Sequence, residues 1–133
     1  MLILGYYGVG KTTIKNEKWI DLTDEGRPSL SLLKYAVEHY EIVMADPSWE
    51  NVFLKSGIPF HIVVPSPERK EEFLQNFRER HKKGLGGGDD NFCRFVSNKW
   101  EREIKHFLSL PALSHTILKD GEFLKDCIET LDT

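Results

Sequence analysis

Met1-Leu2-Ile3-Leu4-Gly5-Tyr6-Tyr7-Gly8-Val9-Gly10-Lys11-Thr12 opens the chain, and its reading decides the fold. Leu2–Leu4 is a short apolar run without alternation, as expected of a strand buried on both faces. From Gly5 to Thr12 the residues fit G-x-x-x-x-G-K-[ST] at every fixed position. The chemistry behind that spacing is phosphate binding. Glycines let backbone N–H groups converge on phosphate oxygens, and Gly8 and Gly10 supply conformations that a Cβ resists. Lys11 then reaches the β- and γ-phosphates of a nucleoside triphosphate, and the Thr12 hydroxyl ligates Mg²⁺. Gly5, Gly8, Val9, Gly10, Lys11, Thr12 and Thr13 are the expected nucleotide-binding residues, with ATP and Mg²⁺ as ligands. A chance glycine-rich turn would lack the strand before the motif and the helix-compatible stretch after it.

Outward from the motif, apolar β-type runs alternate with helix-period stretches. Strands are expected at Leu2–Leu4, Trp19–Leu22, Glu41–Ala45, Phe60–Val64 and His115–Leu118. Only Thr13 to about Lys18 separate the motif from the second strand, so the first helix must be short. Leu30, Leu33, Val37 and Tyr40 mark a helix face entered at Pro28. Further helices are expected from Glu68 to about His81 and from Phe92 to Leu108, the latter ended by Pro111. The last of these carries Phe92, Phe95, Val96, Trp100, Ile104 and Phe107 inward. A final helix after Gly121 buries Phe123, Leu124, Cys127, Ile128 and Leu131. Such alternation defines an α/β fold with a parallel sheet. Residues 1–133 read as a single P-loop nucleotide-binding domain with a lid helix and glycine loop at about 68–91. The loop Lys83-Gly84-Leu85-Gly86-Gly87-Gly88-Asp89-Asp90 cannot hold regular structure and is expected to move.

Two acids fall where open α/β sheets bind ligands, at the carboxyl ends of strands. Asp21 there can hold Mg²⁺-bound water or accept a proton from an attacking hydroxyl. Asp46 ends Ile42-Val43-Met44-Ala45 and is the Walker-B-like candidate for the metal. Their plainer reading is as turn or cap residues beside Thr23, Asp24 and Pro47. Arg27, the one basic residue between Asp21 and Leu33, is the candidate clamp for an acceptor phosphate.

Basic residues crowd the 69–83 segment. Phe73, Leu74, Phe77 and His81 form its apolar stripe at about 100° per residue. Lys70 falls within that stripe and Arg80 at its edge, whereas Lys82 points away. An inward cation needs an anionic partner, and a phosphate fits a guanidinium by its forked geometry. Lys70 is therefore a candidate substrate contact, and Arg80 a candidate for both nucleotide binding and catalysis. The glycine loop that follows would let the helix close as a lid. The alternative is a solvated basic helix paired with Glu71, Glu72 and Glu79.

Composition constrains the partners. A formal charge of −3 gives no global attraction to nucleic acid or to an anionic membrane. Cys93 and Cys127 read as buried hydrophobes in a reducing compartment, with no metal-binding spacing. The start lacks a cationic leader, and no apolar run approaches the roughly 20 residues needed to span a bilayer. A cytoplasmic protein is expected.

These residues resemble the small phage-type P-loop nucleotide-kinase-like proteins, relatives of the nucleoside monophosphate kinases. The resemblance is carried by the motif and by Trp19-Ile20-Asp21-Leu22 after it. Leu54-Lys55-Ser56-Gly57-Ile58-Pro59 looks like the family's helix end before the strand Ile62-Val63-Val64-Pro65. Lys70, Glu72, Phe73 and Arg80 match its lid helix, Asn98 and Trp100 match an Asn-Trp element loosely, and Gly121, Phe123 and Leu124 match a late motif. Asn76 stands where the family often has a lid arginine, and Thr23 and Asp24 replace its usual serines. The resemblance implies a three-layer P-loop fold, a five-stranded parallel sheet in the order 2-3-1-4-5, and phosphoryl transfer to a nucleotide. If the chain is phage-encoded, its compartment is the host cytoplasm. The expected activity is a small kinase that moves the γ-phosphoryl of ATP to a nucleoside monophosphate, with Lys11, Asp21 and Arg80 at the chemistry. A regulatory nucleotide-binding module with little turnover and a polynucleotide 5′-kinase are the alternatives.

Overall fold

The apolar runs fold as neighbouring parallel strands. The computed structural model describes residues 1–14, 16–85 and 88–131, without the side chains of Thr12, Thr13 and Asp24. The strands are β1 (Leu2–Gly5), β2 (Trp19–Asp21), β3 (Ile42–Ala45), β4 (His61–Pro65) and β5 (Ser114–Leu118). They make one five-stranded sheet in the order β2-β3-β1-β4-β5, with every pairing parallel. Leu2, Ile3 and Leu4, Val43, Met44 and Ala45, and Ile62, Val63 and Val64 are all buried. That double-sided burial is why these runs lack polar alternation. β5 lies at the edge, and it does alternate: His115 and Ile117 are exposed, while Ser114 and Thr116 are half-buried.

Register aligns the strand ends. Leu4 lies opposite Ala45 and Ile62, and Asp21 opposite Met44. The chain therefore leaves β1, β2 and β3 at one edge of the sheet, with β1 between β3 and β4. This is where the strand order turns and a crevice opens.

Helices connect the strands: α1 (Lys11–Ile14), α2 (Leu30–His39), α3 (Glu50–Ser56), α4 (Lys70–Lys82), α5 (Asp90–Ser109) and α6 (Leu124–Cys127). α2 packs with α3, α4 with α5, and α1 with α6. α1 is short, as the spacing required, and a single turn carries little macrodipole. α2 starts at a Ser29 cap whose hydroxyl accepts from the Leu32 N–H at 3.1 Å. Pro28 therefore precedes the cap instead of entering the helix, and Leu30, in the first turn, projects beyond the core edge and is exposed. α3 stops at Gly57, in the left-handed region at φ 71°. α5 is capped by Asp89, whose carboxylate accepts from the Phe92 N–H at 2.9 Å. It buries Cys93, Val96, Trp100, Ile104 and Phe107. Phe95, expected inward, is exposed under the Lys99 ammonium, 4.1 Å from its ring centroid. Cys93, next to Phe92 and Val96 on the helix wheel, takes the buried position instead.

A further departure comes from a 3-10 turn over Pro67–Arg69 that precedes α4. At three residues per turn it sets Arg69 at a different angle from that of a continuous α-helix. Arg69 turns inward and is buried, Lys70 stays half-buried, and His81, expected in the apolar stripe, is exposed. The stripe keeps Phe73, Leu74 and Phe77. Cys93 and Cys127 are buried free thiols. Gly86 and Gly87 of the glycine loop lie outside the described residues. No helix among the described residues is long and apolar enough to cross a membrane.

Candidate functional site

Residues 5–12 make a tight turn between β1 and α1 at the crevice. Tyr6 N–H donates to Val63 O at 3.0 Å and Val9 N–H to Tyr6 O at 3.4 Å. Gly8 (φ 80°) and Gly10 (φ 102°) take the left-handed conformations that the motif reading required. Gly8 is needed for space as well. A Cβ there would lie 2.7 Å from Phe77 Cε1 and 3.0 Å from Phe73 Cδ2, so α4 packs directly on the loop. From the other side, Leu124 N–H at the start of α6 donates to Val9 O at 2.8 Å. The loop is thus clamped between two helices.

Lys11 is buried, and its ammonium donates to Gly5 O and Tyr6 O, both at 2.8 Å. Burial pulls its pKa down to about 8, against the opposing pull of Asp21 and Asp46. The two acids thus sit within electrostatic reach of the lysine. Asp21 is itself buried and accepts from Thr23 N–H at 3.0 Å. Asp46 is half-buried and accepts from Ser48 N–H at 2.9 Å and from the Ser48 hydroxyl. Each carboxylate therefore caps a turn, as the plainer reading held, and each also faces the crevice.

The crevice is a cavity of about 750 Å³. Its walls bring Gly8, Gly10 and Lys11 together with Asp21, Asp46 and Arg80. Residues from six separate segments meet there, which sequence distance alone did not require. Arg80 lies half-buried on the cavity, and its Nη2 donates to Leu85 O at 3.2 Å. Asn76, Lys83 and Lys125 also reach the cavity, as do the rings of Tyr7, Phe77, Phe92 and Phe123.

Other sequence-derived candidates are not brought together with these. Arg27 is exposed, and neither it nor Lys70 lines the cavity. The buried cation of the 69–83 segment is Arg69, one residue before Lys70. Its guanidinium pairs with Glu72 at 2.9 and 2.8 Å and donates to Lys119 O at 2.9 Å and Glu122 O at 2.6 Å. It also lies 5.0 Å from the ring centroids of both Phe73 and Phe123. Arg69 thereby ties the start of α4 to the 119–123 turn, which in turn places Phe123 and the Leu124 N–H that holds the loop. The Pro67 at the head of the 3-10 turn was the available signal. The side chains of Thr12 and Thr13 lie outside the described residues. Among the described residues no group of three or more His, Cys, Asp or Glu side chains gathers as a metal site. Magnesium commonly needs only one or two carboxylates when phosphates and water complete its shell, and the carboxylates lining this cavity are Asp21, Asp46 and Glu79.

Comparison of the chain with protein-family models, with curated proteins and with solved structures yields no match in any of the three.

Proposed function

We propose that this chain is a P-loop protein that binds ATP with Mg²⁺ and transfers the γ-phosphoryl group to a nucleoside monophosphate. One observation carries the reading: the glycine loop, a buried lysine, two strand-end carboxylates and a helix-borne arginine line one cavity. In this reading Gly8 and Gly10 bring the backbone close to the phosphates, and Lys11 exchanges its bonds to Gly5 O and Tyr6 O for phosphate oxygens. Bound Mg²⁺ would neutralise phosphate charge; Asp46 and the Thr12 hydroxyl would hold it. An acceptor phosphate oxygen forms the new bond to the γ-phosphorus as the bond to the ADP oxygen breaks, giving ADP and a nucleoside diphosphate. Asp21 orients the acceptor, and Arg80 meets charge that builds on the transferring group. α4 carries buried phenylalanines against Gly8, so in this reading Arg80 reaches the transferring group from a helix packed on the loop.

A second reading, ATP binding without transfer, draws on two observations. Both acids already serve as turn caps, and Arg27 and Lys70 stand outside the cavity. The deciding experiment incubates the protein with ATP and Mg²⁺ plus each nucleoside monophosphate, or a 5′-hydroxyl oligonucleotide, and scores phosphorylated product. A nucleoside diphosphate is the expected product. Tight ATP binding with no product from any acceptor would establish the binding module, and a labelled oligonucleotide would establish the polynucleotide kinase.

A further inference from the structure

The glycine loop crosses a row of aromatic rings. Phe92, Phe77, Phe73 and Phe123 are successive neighbours, with centroids 5.4, 6.4 and 6.0 Å apart. Gly8 sits over the Phe73–Phe77 pair, so the two ends of the row flank the loop. Both end rings, Phe92 and Phe123, are half-buried and line the cavity. The Phe123 end is stacked on Phe73 and backed by the Arg69 guanidinium. The Phe92 end is built differently, and phosphate chemistry uses none of it.

There Tyr7, the third residue of the motif, meets Phe92 edge-on at 5.5 Å and 84°, and Phe92 meets Phe77 at 75°. Two local features hold Phe92 in place. Its N–H caps onto Asp89, and its ring lies against the bare Cα of Gly88, where an added Cβ would fall 2.1 Å from Phe92 Cδ2. Gly88 N–H is in turn held by Phe77 O at 3.3 Å. Tyr7 and Phe92 are half-buried and line the cavity, with the buried Phe77 behind them. Arg80, Lys83 and Asp46 line the same cavity. An aromatic wall with cations at its rim and a carboxylate beside it matches a planar base carrying a phosphate.

We infer that Tyr7 and Phe92 form an aromatic platform against which the base of the phosphate-accepting nucleotide packs, its face on one ring and its edge on the other, with Arg80 and Lys83 beside its phosphate. The inference rests on the kinase reading and gives its acceptor a location. Tyr7 and Phe92 then set acceptor affinity, while the glycine loop and Lys11 set ATP affinity. Stacking tolerates any base, so discrimination among bases falls to the Tyr7 hydroxyl.

The test is calorimetry of the whole chain with AMP, GMP, CMP and UMP, and with ribose 5-phosphate as the base-free probe, in the presence of a non-hydrolysable ATP analogue. At least one nucleoside monophosphate should bind about 10-fold or more tighter than ribose 5-phosphate. Tyr7→Ala and Phe92→Ala should each weaken it by about 10-fold to 100-fold, the range for one lost stacking partner. Gly88→Ala, which displaces the Phe92 ring without deleting it, should do the same. ATP affinity of the Phe92→Ala and Gly88→Ala proteins, whose substitutions lie outside residues 5–12, should stay within about twofold, which separates loss of the platform from loss of the cradle. Equal binding of ribose 5-phosphate, no binding of any monophosphate, or unchanged monophosphate affinity in folded Tyr7→Ala protein would each overturn the inference.

Discussion

Arg69 and Arg80 bracket α4 and meet opposite fates. Arg69 is 2% exposed, with its donors directed to Glu72 and to two carbonyl oxygens and its guanidinium packed against two rings. Arg80 is half-buried at the cavity and makes one bond, to Leu85 O, among the described residues. A buried cation with four of its five N–H donors taken up inside the protein belongs to the architecture. A cation with unused donors on a cavity beside a glycine loop is suited to an anion. Sequence position distinguishes these roles poorly; the count of satisfied donors distinguishes them well.

The comparison is broken first at Arg69. Arg69→Ala leaves two carbonyls without their donor and removes the guanidinium packed against Phe73 and Phe123. We expect a loss of about 3 kcal/mol in urea unfolding. Arg69→Lys should recover only part of it, since an ammonium cannot pair with a carboxylate and two carbonyls at once. The Arg69 hydrogen bond holds the Glu72 carboxyl below its ordinary pKa of 4.5. That contribution is present above pH 4.5 and disappears as pH falls through the lowered value, so the gap between wild type and Arg69→Ala should narrow in acid. A change below about 0.5 kcal/mol would show that Arg69 is not the tie it is taken for.

Arg80 should behave in the opposite way. Arg80→Ala is expected to leave stability and ATP affinity nearly unchanged and to lower kcat about 100-fold, the order of one lost charge-stabilising donor. Lys82, exposed on the same turn, is the control, and Lys82→Ala should be near neutral. Equal and small effects at the two positions would make Arg80 an ordinary helix-end cation.

Much of this was legible in the chain, and the exceptions have physical causes. Runs such as Ile42–Ala45 and Ile62–Val64 announce strands because burial on both faces leaves no room for polar alternation. The tight loop was legible at Gly8 and Gly10, where only positive φ satisfies the turn. Helix phase was less so. A 3-10 turn at Pro67–Arg69 exchanged the roles of Arg69 and Lys70, and a Ser29 cap moved Leu30 into solvent. Least legible were pieces of the cavity wall from distant segments, such as Phe123, Lys125 and Tyr7, because tertiary packing alone gathers them.

A smaller effect sharpens the lysine itself. Without bound phosphate, burial holds Lys11 at about 8, well below its ordinary 10.5. Between those values the unfolded chain keeps a proton that the folded chain has lost, so stability should rise with pH across that window. Phosphate charge favours the ammonium and draws the proton back. ATP binding should therefore take up most of a proton at about pH 8.5 and little through Lys11 at pH 7, read from calorimetry in buffers of different ionisation enthalpy. Equal proton uptake at both pH values would contradict the placement of Lys11 in a desolvated site.

The most direct test of the whole account is ATP affinity in Lys11→Ala and the size-preserving Lys11→Met, measured by calorimetry at pH 7 with Mg²⁺. Both folded variants should show no measurable ATP binding, because no other described lysine donates to the carbonyls of the glycine loop. Wild-type ATP affinity in either folded variant would contradict the assignment of residues 5–12 as the phosphate cradle.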